Sequence, residues 1–263
     1  VLAALHYQLG TLWVVLSGIG GYILCSLIVG LIVRRKLSKL QNEMQEMMQT
    51  AQERINRSVQ QAQHKPGANP GSLQKQVELK QAEVLKKALR HTERFEPYRK
   101  WAPTLGRQIA TMRLQFLYQL KRFEEVDEIL AIKHPLRKPM LMEPTLVAMK
   151  MARAYKRGDM DEMERLFHKH VRWMRGDRGT LLYGLIAPAW VKKGKTDEAH
   201  TLLAKAKDKT GDETLERNWE HLANQKVKKF SNAGLGEAWY VLHLEKPPKP
   251  KMQRARGRRQ GAF

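Results

Sequence analysis

The longest apolar run of the chain lies between Leu9 and Val33, where twenty-five consecutive residues carry no charge. Arg34, Arg35 and Lys36 end it abruptly. As an α-helix the run would be roughly 37 Å long, enough to cross a hydrocarbon core of about 30 Å with some tilt. We therefore predict a transmembrane anchor over residues 1–36. A cleaved signal peptide is the main alternative, but residues 1–8 lack the basic region that such a peptide begins with.

The cluster of Arg34, Arg35 and Lys36 also predicts the topology. Basic residues resist translocation, so the end of a span that carries them stays in the cytoplasm. This orientation places the N-terminus outside and the chain after residue 36 in the cytoplasm. We expect a single-pass protein of the bacterial inner (cytoplasmic) membrane.

A second apolar pattern follows directly over residues 37–63. Apolar side chains recur at three- and four-residue steps among Gln and Glu: Leu37, Leu40, Met44, Met47, Ala51 and Ile55. This spacing predicts an amphipathic, coiled-coil-like stalk helix. Within the span, Ser17, Gly21 and Cys25 are spaced by four residues, which favours close approach of two helices and a homodimer through span and stalk. Gly and Ser are also common in membrane helices generally, and this simpler explanation is preferred.

Residues 64–71 concentrate helix breakers, with two prolines each followed by glycine, and this composition predicts a hinge. From Ser72, a good N-cap residue, a helical stripe resumes. Pro97 and Pro103 then bracket an aromatic stretch, so residues 72–103 are predicted to form a leading helix and a connector. No segment shows the alternating pattern typical of a β-strand.

From Thr104 onward the sequence repeats itself. A turn-like position recurs at spacings of 37, 36 and 39 residues: Lys121, Gly158, Gly194 and Ala233. A glutamate follows four residues after each of them. Such a period predicts stacked helical hairpins, because one short hairpin cannot bury its apolar face alone and shares a core with its neighbours. We expect this array over residues 104–245, and the predicted fold class is all-α.

These windows resemble tetratricopeptide repeats, in which a first helix ends in an aromatic residue, a Gly turn follows, and the second helix begins with an acid and a small residue. The resemblance implies an α-solenoid of helical hairpins. The sequence departs from the family in its longer period, in the missing early Trp and in Pro188, which falls inside a first helix. The layout of one span followed by cytosolic repeats is similar to that of LapB-type lipopolysaccharide-assembly adaptors. That family carries a cysteine-pair metal module and more repeats, and this sequence has neither.

The pattern also predicts individual positions in the array. Seven apolar side chains are expected in its core: Phe116, Leu117, Leu130, Leu166, Phe167, Leu202 and Leu203. Four tryptophans are expected to pack within the array rather than to stack on nucleic-acid bases: Trp173, Trp190, Trp219 and Trp239. Gly176 is expected to lie in a loop that tolerates a side chain.

Charge bears on the kind of partner. The net charge is +22 and the isoelectric point is near 10.2, so the soluble part is a polycation suited to anionic lipid headgroups, RNA or acidic protein surfaces. Topology alone accounts for the cations next to the span. Residues 246–263 form a basic tail predicted to be disordered. Its candidates for an anionic partner are Lys249, Lys251, Arg254, Arg256, Arg258 and Arg259.

No motif for catalysis, for a cofactor or for a metal stands out. The sequence has no phosphate-binding Gly-rich loop and no nucleophile elbow. Its one cysteine, Cys25, lies in the span, and His168 and His170 are two residues apart and so on different faces of a helix. We therefore expect not an enzyme but a membrane-anchored adaptor that binds a protein partner through its repeats. The alternative is a basic anchor for RNA, a ribosome or anionic lipid.

Overall fold

A computed structural model of the protein describes residues 2–63 and 70–247. The predicted hinge falls largely on residues 64–69, which lie outside the described residues, as do all six basic tail candidates between Lys249 and Arg259. Within the described ranges the regular structure is entirely helical and contains no strand, which confirms the all-α prediction.

The predicted span and the predicted stalk are one continuous helix, α1 (Leu2–Gln63). Most of the large apolar side chains of α1 between Leu16 and Ile32 are exposed. In the part of the chain that the structure describes, α1 is the one helix long and apolar enough to cross a membrane. An exposed apolar surface of this length suits the hydrocarbon core of a bilayer.

Helix α2 (Pro70–His91) runs back along the stalk. The His91 Nε2 atom lies 3.0 Å from the Leu40 carbonyl oxygen. Pro70 and Gly71, which the sequence assigns to the hinge, are the first residues of α2; proline is well suited to this position because its missing N–H has no helical partner there. Leu40 and Ile55 of the predicted coiled-coil seam are buried within the chain, which leaves these two residues unavailable for pairing with a second copy.

A 3₁₀ helix, Thr92–Lys100, follows α2 and contains Pro97. Its Phe95 packs with Leu40, Leu105 and Ile109 in a small core beside the stalk. The Arg94 guanidinium reinforces this contact through an ion pair to Glu43 of α1, at 2.7 Å. The domain is therefore fastened directly to the stalk, close to the end of the apolar run.

Three pairs of helices, each joined by a short turn, follow, and each pair packs together. The pairs are α3 (Leu105–Gln119) with α4 (Phe123–Ala131), α5 (Pro144–Lys156) with α6 (Met160–Val171), and α7 (Thr180–Lys192) with α8 (Thr196–Thr210). Helix α9 (Glu213–Ala223) packs on α8, and the four-residue α10 (Glu237–Tyr240) comes after two short 3₁₀ turns.

Each of these three turns contains a residue with left-handed backbone geometry. The φ angle is +59° at Lys121, +78° at Gly158 and +79° at Gly194. The fourth position differs from the prediction: Ala233 begins a 3₁₀ helix, Ala233–Leu235, and does not join two long helices. A hydrogen-bonded loop replaces the fourth hairpin because side chains of this segment bond to α7 and α9, as described next.

Pro188 lies inside α7, and the helix continues through it. Proline has no N–H to donate to the carbonyl four residues earlier, which belongs to Gly184. The side-chain Nδ2 of Asn232 donates to that carbonyl instead. Asn218 completes the network, because its Nδ2 donates to Asn232 Oδ1 at 3.0 Å and its Oδ1 accepts from the Ser231 N–H at 3.0 Å. Asn232 therefore donates the hydrogen bond to the Gly184 carbonyl that Pro188 cannot donate, and the buried Asn218 holds Asn232 in place.

Residues 231–247, called the C-terminal strap below, continue from this network back to the first hairpin. The Tyr118 hydroxyl donates to the Leu242 carbonyl at 2.9 Å, and the Tyr118 ring stacks on His243 with centroids 5.8 Å apart. Trp239 and Leu242 are buried in the main core. The strap thus ties the third hairpin to the first.

The main core contains four of the seven predicted side chains as buried residues: Leu117, Leu166, Phe167 and Leu203. Leu130 and Leu202 pack partly buried against it, and Phe116 is half-buried. Two further predictions are wrong. Trp173 is exposed rather than packed, because it follows the end of α6 in a loop. Gly176 has a φ of +56°, so a side chain there is strained even though the space around it is open.

Candidate functional site

A groove lies beside the stalk, where four parts of the chain meet. Its walls are α1 between Met48 and Ile55, α2 between Lys75 and Leu85, the end of α3 at 119–121, and the strap at 240–247. The groove is half-enclosed and has a volume of about 750 Å³. It forms because α2 returns along α1 while Tyr118 holds the strap against the end of α3.

The groove has an apolar floor and a charged rim. Ile55 and Leu85 are buried at the floor, whereas Leu79 is 67% exposed. The charged residues that line it are Lys75, Glu78 and Lys121. An exposed leucine above a buried apolar floor is suited to binding another apolar surface, because contact there removes apolar area from water.

Tyr118 and His243 fasten the strap at one end of the groove. Burial raises the pKa of the Tyr118 hydroxyl above its ordinary value, so this group stays protonated and keeps its bond to the Leu242 carbonyl. Burial, together with the nearby Lys121 cation, lowers the pKa of His243. A neutral His243 ring can therefore stack on Tyr118 without burying a charge.

Acidification is expected to loosen the strap. Because the pKa of His243 is lower in the folded protein than the ordinary value of about 6.5, protonation favours the unfolded chain. The stabilisation from neutral His243 is fully present above the ordinary pKa. It is lost as the pH falls through the lower pKa of the folded protein. The melting temperature should therefore drop between about pH 7.5 and about pH 5.5, and the drop should be smaller in His243→Gln.

His170 needs a parallel measurement, because burial and the cations Lys169 and Lys150 lower its pKa as well. The variant His170→Gln provides the matched control, and the double variant should show the smallest drop of all. A drop in His243→Gln as large as in the unmodified protein would contradict the assignment to His243.

Metal-ligating side chains are not gathered at any one place that the structure describes: no three His, Cys, Asp or Glu residues lie close enough to hold an ion. His168 is exposed and its ring lies near Phe167 and Trp190, while His170 is half-buried. The groove itself contains one histidine and one carboxylate among its lining residues, His243 and Glu78.

Carboxylates near the hairpin turns hold the cations there in ion pairs. Asp127 of α4 accepts from Arg153 Nη2 at 2.7 Å and from Arg157 Nη1 at 3.0 Å. Glu164 lies 3.7 Å from Lys193 Nζ and 3.6 Å from Lys195 Nζ. These pairs join one hairpin to the next, so their role is to stabilise the array rather than to bind a ligand.

The residues singled out in the sequence lie in different places. Arg34, Arg35 and Lys36 are exposed at the end of the apolar run of α1. Lys121 lines the groove, whereas Gly158 and Gly194 do not. Leu79, the exposed leucine of the groove, lies outside the apolar stripe of α2. Its position outside that stripe was the one signal in the sequence that pointed to the groove.

Comparison with known proteins found no relative of this chain. The chain matches no protein-family model, no curated protein and no solved structure at a significant level.

Proposed function

We propose that the protein is a membrane-anchored adaptor that binds a protein partner at the cytoplasmic face of the inner membrane. We further propose that the three hairpins are tetratricopeptide-like and that α1 is the membrane anchor. The observation that supports it is the groove beside the stalk, where Leu79 is exposed above an apolar floor. One wall of this groove belongs to the helix that carries the apolar run, so a partner bound there would be held at the membrane.

The position of the strap determines where we place the partner. The sequence predicts a partner on the concave surface of the repeats. In the folded chain the strap bonds to Gly184 of α7 and packs on Tyr118 of α3, so part of the array is already occupied by the protein itself. The groove is an apolar surface beside the strap that the chain itself leaves open.

We infer that the groove accepts one face of a partner helix. An amphipathic helix presents apolar side chains at three- and four-residue steps, which suits a half-enclosed apolar groove with a charged rim. Lys75 and Lys121 on the rim favour acidic residues beside that apolar face. Binding through apolar anchors of this kind depends little on salt.

The alternative is that the basic surface holds RNA, a ribosome or anionic lipid, and the net charge of +22 favours it. Binding of that kind releases counterions and weakens steeply as the salt concentration rises. Salt and nuclease treatment therefore separate the alternative from the adaptor.

Photo-crosslinking in intact membranes tests the proposal. A photoreactive residue at position 79 should crosslink one defined protein, whereas the same residue at the exposed Lys205 of α8 should not. The variant Leu79→Glu should lose this partner in affinity purification, and Lys205→Glu should retain it. Recovery should survive moderate salt and nuclease. The proposal is wrong if both positions capture the same proteins, or if recovery disappears with nuclease or moderate salt.

A further inference from the structure

The array of hairpins has two edges. The hairpin turns lie on one of them, since the Lys192 Nζ atom of α7 donates to the Tyr155 hydroxyl of α5 and the ends of both helices are therefore together. The segments that precede the first helix of each hairpin lie on the other. We call these segments, residues 100–104, 132–143 and 172–179, the loop edge.

Contacts join two of these segments to each other and place the middle one against the start of α3. Arg178 Nη2 lies 4.0 Å from Glu143 Oε2, which links the last segment to the middle one. A Cβ at Gly106, in the first turn of α3, would lie 2.6 Å from the Leu136 carbonyl oxygen and 3.3 Å from Arg99 Cδ. The middle segment is therefore packed against the start of α3 and the end of the 3₁₀ helix.

Large apolar side chains are exposed along this edge. The exposed fraction is 64% for Trp101, 48% for Leu136, 71% for Met142 and 71% for Trp173. Outside α1, the only other exposed large apolar side chains among the described residues are Leu79 and Val227. Exposed apolar residues are thus concentrated on one edge of the domain, which marks an interaction surface.

The loop edge is also basic. It contains seven cations, Lys100, Lys133, Arg137, Lys138, Arg172, Arg175 and Arg178, against two acidic residues, Glu143 and Asp177. Within the described ranges, the Arg178–Glu143 contact is the one ion pair of these cations. On the opposite edge, Asp127 pairs with Arg153 and Arg157, and Glu164 pairs with Lys193 and Lys195.

The loop edge lies at the membrane end of the domain. Leu105, at the start of α3, packs with Leu40 of α1, whereas Gln119, at the end of α3, lines the groove beside Met48 and Ile55. Leu40 is about 10 Å along the helix from Val33, the last residue of the apolar run. The start of α3 is thus at the depth of the lipid headgroups when α1 spans the bilayer.

The burial of α1 supports this depth. Val33 is only 9% exposed, although its neighbours Leu31 and Ile32 are largely exposed. Val29, one turn earlier, is half-buried. Val29 and Val33 lie four residues apart and so share one face of α1. The fold covers that face up to the last turns of the apolar run.

We propose that the loop edge docks on anionic phospholipid headgroups of the leaflet next to Arg34, Arg35 and Lys36. Tryptophan and basic residues are suited to the membrane interface, where the ring enters the headgroup layer and the cations attract anionic lipid. Docking would hold the domain against the bilayer in one orientation, with the turn edge facing away. This inference rests on the membrane anchor of the proposed function and not on the groove.

The test uses the full chain in lipid nanodiscs, with Cys25→Ser as background. An environment-sensitive fluorophore attached at Met142→Cys should shift to the blue in nanodiscs that contain phosphatidylglycerol, relative to phosphatidylcholine alone. The same fluorophore at Lys156→Cys, on the turn edge, should show no such shift. Reversing Arg137 and Lys138 to Glu should lower the ratio of docked to undocked protein by about fivefold for each cation lost. Lys156→Glu/Lys205→Glu, with the same change in charge, should leave the Met142→Cys signal unchanged.

Each other outcome has a definite meaning. Failure of the chain to enter nanodiscs would remove the anchor and with it the proposed function. Normal insertion with equal signals in the two lipids, or equal shifts at positions 142 and 156, would overturn the docking alone. A shift at position 142 that an RNA oligonucleotide produces and anionic lipid does not would assign the edge to RNA and overturn the proposal as well.

Discussion

Replacing Asn232 by Ala should destabilise the domain by about 3 kcal/mol, because it leaves buried polar groups without partners. The Gly184 carbonyl loses the donor that stands in for the missing N–H of Pro188. The Asn218 amide loses one of its two acceptors at the same time and keeps the Ser231 carbonyl. At roughly 2–4 °C per kcal/mol for a domain of this size, the melting temperature should fall by about 6–12 °C. Thermal unfolding of the full chain in detergent, followed by circular dichroism, measures the change.

Asn224 provides the matched control. Its side chain is exposed and donates to the Glu220 carbonyl within one helix end, so Asn224→Ala should cost less than about 0.5 kcal/mol. Equal losses in the two variants would show that the Asn232 network contributes no more than a surface bond.

A double-mutant cycle isolates the role of Pro188. In Pro188→Ala the new N–H can donate to the Gly184 carbonyl, so that carbonyl no longer depends on Asn232. The cost of Asn232→Ala should then be smaller by about 1 kcal/mol than in the unmodified chain. Additive costs would contradict the assignment of Asn232 as the substitute donor.

The second large effect is expected at the hairpin turns, where Gly158→Val and Gly194→Val should each cost about 1–2 kcal/mol. No other atoms lie within 4 Å of a Cβ at either position, so the cost comes from the left-handed backbone and not from a clash. Since each hairpin shares its core with its neighbours, the loss should lower the melting temperature of the whole domain.

Asparagine separates backbone strain from other effects of a side chain. It adopts left-handed geometry more readily than a β-branched residue, so Gly158→Asn and Gly194→Asn should cost clearly less than the Val variants. Gly176 also has a positive φ and should therefore respond to Val in the same way. Equal melting temperatures for the Val and Asn variants would mean that the turns do not impose this geometry in solution.

Features that depend on short stretches of sequence could be read from the sequence. The uncharged run before Arg34 predicts a helix long and apolar enough to span a membrane, because length and charge are local properties. Gly158 and Gly194 stand at turns with positive φ for a similar reason: left-handed geometry is easiest for glycine whatever surrounds it. The repeat period was less informative at Ala233, where the match in spacing did not produce a fourth hairpin.

The candidate groove and the strap were decided only by the tertiary structure. An apolar stripe shows which face of a helix is buried but not which segment covers it, so the seam with Leu40 and Ile55 predicted only a coiled-coil-like stalk helix. In the folded chain these residues are instead buried within the same molecule. The bonds that close the domain join residues 124 apart in the sequence, Tyr118 and Leu242, and 48 apart, Gly184 and Asn232. Contacts over such separations depend on the packing of all the helices between them, and no local pattern records them.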